Sequence, residues 1–123
     1  MKEQNVVKDK SFEFSVRIVN LYKHLTANKQ EYVMSKQLLR SGTSIGANIC
    51  EAEQAQSTSD FLSKISISLK ESCESDYWIR LLHRTDYLSE QEFKSIVADC
   101  RELTRLLTSI IKSIKQNKGN KDS

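Results

Sequence analysis

An all-α, up-down-up-down four-helix bundle is the fold class this sequence predicts, and three observations predict it. The 123 residues include no proline and three glycines, so little in the chain interrupts a long helix. Apolar residues recur at i, i+4 and i+7 steps through four extended segments. Short polar stretches separate the segments, which suits antiparallel neighbours in a single domain with a modest core.

The first helix is expected from Ser11 to Thr26, with Ser11 as its N-cap. Phe14, Ile18, Leu21 and Leu25 form one apolar stripe, and Phe12, Val16, Val19 and Tyr22 form a second. Ala27 to Gln30 reads as a polar turn. The second helix is expected over Glu31 to Glu53. Met34, Leu38, Ile45, Ile49 and Ala52 share one of its faces, with Gly42 and Gly46 beside them, one turn apart. Two interior glycines cost about 1 kcal/mol each relative to alanine, so they imply close approach by another helix. A phosphate-cradling loop would need a preceding strand and a GK[ST] ending, and the chain has neither.

Ser57 and Asp60 resemble a capping box for a third helix, expected over Asp60 to Thr85. Phe61, Leu62, Ile65, Leu69, Ser72, Cys73 and Ile79 line one side of it; Ile67, Trp78 and Leu81 line another. A helix that is apolar on two sides is covered on two sides, so a second subunit is expected over this one, with Trp78 as core or interface. Ser89 and Glu92 open the fourth helix with the pattern S-x-x-E. Its stripe runs through Phe93, Ile96, Val97, Cys100, Leu103, Leu107, Ile110, Ile111 and Ile114. The reading therefore divides the chain into a flexible N-terminus (1–10), a bundle (11–115) and a disordered basic tail (116–123) without apolar content.

Charge is unevenly placed. The net +3 breaks down as +1 in residues 1–10 and +3 in residues 112–123, leaving 3 − 1 − 3 = −1 for the body between. No apolar run approaches the ~20 residues of a membrane span, and MKEQNVVKDK has no apolar signal-peptide region. A cytoplasmic protein with no membrane contact is the expectation. Cys50, Cys73 and Cys100 are widely spaced without a C-x-x-C pair, and buried free thiols are expected.

Chemistry is harder to find. A di-iron bundle would carry Glu-x-x-His pairs, and none is present; His24 and His83 stand apart. No Ser or Cys falls in a nucleophile motif with a histidine and an acid. No catalytic residue, metal ligand or cofactor is assigned. The polar stripe Gln37, Arg40, Ser44, Asn48, Glu51 on helix two and Glu71 with Glu74 on helix three border apolar faces. Arg40, Asn48, Glu51, Glu71 and Glu74 are read as a network that sets helix register or subunit orientation. On helix four, Lys94, Arg101, Arg105, Lys112 and Lys115 fall within roughly a third of the circumference at 100° per residue. With Lys118 in the tail they form a candidate phosphate-binding stripe; an ordinary solvated face is the competing reading.

Three runs carry a family resemblance: FEFSVRIVNLY, QLLRSGTSIGANICEA and DFLSKISISLKESCESDYWIRLL. They resemble the bacterial four-helix-bundle family first found encoded by intervening sequences inside large-subunit ribosomal RNA genes. That family also includes the accessory protein of diversity-generating retroelements. The likeness spans Ser11 to Ile114; RSGTSIGANICEA is its most specific part, and the helix-four pattern is generic. It implies a homopentameric ring around a central channel and, from the retroelement relative, binding of a reverse transcriptase and nucleic acid. The near-neutral body departs from the retroelement type. The functional expectation is a non-enzymatic oligomeric accessory protein that binds nucleic acid, RNA or DNA, through helix four and the tail. The alternative is a scaffold that docks a partner enzyme such as a polymerase, without touching nucleic acid.

Overall fold

The structure is a computed structural model that describes the backbone of residues 2–122 and the side chains of residues 4–117. Four helices follow in order: α1 (Lys2–Lys29), α2 (Met34–Ala52), α3 (Thr58–Arg84) and α4 (Glu90–Asp122). Each packs on its chain neighbours, and α4 closes the square against α1, so α1 and α3 occupy one diagonal and α2 and α4 the other. Among the described residues there is no strand, and no helix is long and apolar enough to cross a membrane. The four-helix bundle read from the periodicity is the observed fold.

Two helix starts differ from expectation. α1 begins at Lys2, not at Ser11. Val7 lies one turn before Ser11 on the stripe that continues through Phe14 and Ile18, and it is buried in the core. Ser11 is therefore an interior residue: it is buried and its hydroxyl donates to the Lys8 carbonyl at 2.9 Å. α2 begins at Met34, three residues after the expected Glu31. Gln30 takes a left-handed φ of 52° and breaks the chain direction. Val33 at the N-cap supplies no side-chain acceptor. Glu31 replaces it, its carboxylate accepting from the Val33, Met34 and Ser35 amides at 3.2, 3.1 and 2.7 Å. At the other end α4 is helical to Asp122, through the stretch expected to be a tail.

The other caps follow their sequence signals. Ser57 accepts from the Asp60 amide at 3.0 Å, and Ser89 and Glu92 exchange reciprocal bonds of 2.9 and 3.1 Å. α3 ends with Asp86 at φ 69° and the Tyr87 amide donating back to the Leu82 carbonyl, which satisfies an orphan acceptor of the last turn.

The core holds Phe14, Ile18 and Leu25 from α1, Leu38, Ile45 and Ile49 from α2, Ile65, Ile79 and Leu82 from α3, and Leu103, Leu107 and Ile110 from α4. Serines line the contacts between them. The Ser41 and Ser75 hydroxyls meet at 2.9 Å between α2 and α3, and Ser68 donates to the Ile45 carbonyl at 2.8 Å. Ser72 pairs with Thr104 of α4 at 2.9 Å. An unpaired buried hydroxyl costs on the order of 1–3 kcal/mol; among the described residues no buried side-chain nitrogen or oxygen lacks a partner.

The cysteine expectation is corrected. Only Cys100 is buried, and burial pushes its thiol up to about 12. Cys50 and Cys73 each follow a buried residue, Ile49 and Ser72, and the 100° step per residue turns both out to solvent.

The two glycines make unequal contacts with α1. A Cβ on Gly42 would stand 3.0 and 3.1 Å from two carbons of Ile18, a buried β-branched side chain with little room to turn. A Cβ on Gly46 would meet Ser11 and Ser15 at 3.3 to 3.4 Å. Overpacking of about 1–3 kcal/mol outweighs the gain of about 1 kcal/mol in helix propensity only at the first site. Thermal unfolding should show Gly42→Ala less stable than wild type by up to roughly 2 kcal/mol, and Gly46→Ala equal or slightly more stable. Equal loss at both positions would contradict this ranking.

Glu31 generates a pH prediction. Burial pulls its carboxyl upward, but the three backbone amides outweigh that and hold it below its ordinary 4.5. A depressed folded-state value means the stabilisation is present above the ordinary value and is lost as pH falls through the folded one. Glu31→Gln should cost about 1 kcal/mol near neutral pH, as other lost N-cap acceptors do. The gap between variant and wild type in urea titrations should close on acidification; a constant gap would mean the charge is irrelevant.

Candidate nucleic-acid interface

The basic face of α4 is built by helix geometry and then thinned by ion pairing. α4 buries Ile96, Val97, Cys100, Leu103, Leu107 and Ile110, which leaves Lys94, Arg101, Arg105, Lys112 and Lys115 pointing outward, all exposed. Asp99 and Glu102 turn instead toward α1, where Asp99 pairs with Arg17 at 2.7 Å and Glu102 with Lys10 at 3.1 Å. The outward arc is thus free of these carboxylates.

Two of the five cations already have partners. Arg101 donates from Nε to Asp76 of α3 at 2.8 Å, and Asp76 also accepts from Arg80 at 2.8 Å. Burial raises the Asp76 carboxyl, but the two guanidinium groups prevail and hold it below its ordinary range. Lys94 lies 3.8 Å from Glu90, an exposed pair worth about 0–1 kcal/mol. Arg105, Lys112 and Lys115 make no ion pair among the described residues. The Lys118 side chain lies outside the described residues. A shallow groove runs along Arg105 and Lys112, lined also by Thr104, Thr108, Ser109, Ser113 and Gln116. The Thr104 and Thr108 hydroxyls donate to the Cys100 and Thr104 carbonyls of α4 itself, which leaves the exposed Ser109, Ser113 and Gln116 as donors of the kind that accompany Arg and Lys at phosphates.

From Leu103 to Lys121 the chain contains no Asp or Glu. The expected stripe therefore contracts to its distal half. Asp76 is the residue that the sequence reading missed. Its i+4 pairing with Arg80 was readable, but the reach to Arg101 depends on the α3–α4 packing.

The five-residue polar network separates into three parts. Arg40 pairs with Glu71 at 2.9 Å and with Glu74, whose carboxylate also accepts from Trp78 Nε1 at 3.0 Å. The Trp78 bond, with Arg40 behind it, outweighs burial and keeps the Glu74 carboxyl below its ordinary value. Glu51 pairs with Lys64 at 3.3 Å, and Asn48 bonds back to the Ser44 carbonyl at 2.8 Å; neither joins Arg40. The arrangement ties α2 to α3 across their outer edge. Trp78 packs partly against the core, with the exposed Tyr77 ring edge-on at 5.0 Å. His83 stacks on Phe93 and meets Glu90 at 2.8 Å, and His24 meets Asn28 at 2.8 Å. Neither histidine faces a cysteine or serine nucleophile in these contacts.

The comparisons agree with this architecture. The model of a family described as 23S rRNA-intervening sequence protein matches residues 3–109. A crystal structure of a protein of unknown function from the S23 ribosomal protein family of Bacteroides thetaiotaomicron is 61% identical, with a TM-score of 0.88. The match covers 89% of this chain and 98% of that one. No curated protein matches the chain.

Proposed function

The chain belongs to the 23S rRNA-intervening sequence protein family, and we propose that it is a non-enzymatic, oligomeric accessory protein that holds nucleic-acid phosphates on the distal face of α4. One observation carries the reading: three cations that make no ion pair among the described residues share an arc of about 80° within a stretch devoid of carboxylates. Each phosphate neutralised releases counterions, so affinity would fall steeply with salt.

Arg105→Ala with Lys112→Ala should weaken binding of a structured RNA hairpin and lower the log-log salt slope by roughly 1–2. Asp76→Asn should act oppositely, because it releases Arg101 and steepens the slope. Fluorescence anisotropy across a salt series reads both, and unchanged binding in the double variant would defeat the reading.

Assembly is supported by apolar surface left bare on two helices. Phe12 is 66% and Val16 43% exposed on α1; Tyr77 is 49% and Ile67 40% exposed on α3. The two strips sit on diagonally opposed helices, so they would meet head to tail, which closes a ring when the rotation permits. A homopentamer is the ring proposed. Phe12→Glu and Tyr77→Glu should each reduce the mass measured by light scattering without loss of helical signal. A wild-type monomer would refute assembly outright. The alternative function is a scaffold for a partner enzyme, and salt-tolerant binding to a protein partner would favour it.

A further inference from the structure

We infer that the distal half of α4 enters the major groove of B-form duplex DNA, so that duplex DNA is bound in preference to duplex RNA and to single strands. This rests on the phosphate-binding reading above and specifies its ligand. Three features of α4 point there. First, no aromatic residue follows Phe93 in the chain. Binding of unpaired strands relies on rings that stack against bases, and this face offers none. Tyr77 of α3, an exposed ring, follows Asp76, the partner of Arg101. It stands at the near end of the stretch, not within it.

Second, the bare cations come with polar groups on the same side. Ser109, Ser113 and Gln116 are exposed between and beside Arg105, Lys112 and Lys115. Arg and Lys reach phosphates or guanine edges, and a glutamine amide matches an adenine edge. Third, the shape fits one groove and not the other. A helix with its side chains is about 10–12 Å across, and the B-form major groove is about 12 Å wide. The A-form major groove of duplex RNA is deep and too narrow for side chains to read. Among the residues whose side chains are described, Ile114 is the last of α4 that packs on the core, and the helical backbone continues to Asp122, roughly 12 Å further.

The test is fluorescence anisotropy with the full chain and four probes: a duplex DNA, a duplex RNA of matching sequence, one DNA single strand and one RNA single strand. All are measured at one fixed salt concentration. Phosphate attraction alone predicts near-parity between the two duplexes, whereas groove entry predicts a DNA preference on the order of tenfold, the scale of one bidentate base contact. Methyl green, a major-groove ligand, should compete with the protein, and a minor-groove ligand should not. Ser113→Ala with Gln116→Ala, both solvent-exposed, should reduce the DNA preference without changing the salt slope. Parity, or tighter binding of RNA or single strands, would overturn groove entry while leaving the phosphate-binding reading standing. Absence of binding to all four probes would overturn both.

Discussion

The Ser68 hydroxyl of α3 hydrogen-bonds the Ile45 carbonyl of α2 at 2.8 Å. A side chain only two heavy atoms long reaches a neighbouring helix backbone only if the two helices nearly touch. Ser41 and Ser75 repeat the closeness one turn along, and on the opposite side Gly42 and Gly46 admit Ile18, Ser11 and Ser15 of α1. α2 is thus clamped tightly on both flanks by small residues. The satisfied hydroxyls matter as much as their size, because each would be a penalty if the helices drifted apart. With α2 fixed between α1 and α3, α4 takes the opposite corner, held by Leu103, Leu107 and Ile110 beneath it and by ion pairs along its α1 edge.

That closeness was legible in part. Gly42 and Gly46 at helical spacing announced a close contact, and the apolar repeats placed the core stripes of α1, α2 and α4; on α3 they caught Ile65, Ser72 and Ile79 but included the exposed Cys73 and left out the buried Leu82. What the repeats could not say was where a helix begins when its first turn is mostly polar. Val7 alone carries α1's stripe past Ser11, and one buried valine among lysines and acids is a weak periodic signal. Glu31 misled for another reason: an acid before an apolar stripe fits the first turn of a helix, yet here it folds back over that turn from outside. Cys50 and Cys73 show the limit of reading by proximity, since a residue next to a core position in sequence lies 100° away around the helix.

The candidate site was legible as a set of cations, but not as a set of available ones. Arg17 and Lys10 meet carboxylates on α4, and Lys8 meets Glu53 just past the end of α2, contacts that tie the bundle's edges. Arg101 belongs with these, since Asp76 holds it, and Lys94 is drawn toward Glu90 on its own helix. Such exposed pairs add little stability individually. Their consequence is the distribution of what is left over. Availability is a property of packing between helices, and no spacing rule within α4 alone contains it.

The geometry also keeps the two proposed surfaces from competing. Phe12 and Val16 lie on α1, and Ile67 and Tyr77 on α3, the two helices of one diagonal. The bare cations lie on α4, which belongs to the other. Contacts between copies through the α1 and α3 strips would leave one distal α4 face per copy uncovered. Copies joined this way would display their Arg105, Lys112 and Lys115 sets together. Like charges brought near one another raise the local potential, and a polyanion that spans several copies gains from each without any single contact becoming stronger. On this arrangement a modest charge per chain is sufficient, which reconciles the near-neutral body with the proposed nucleic-acid role.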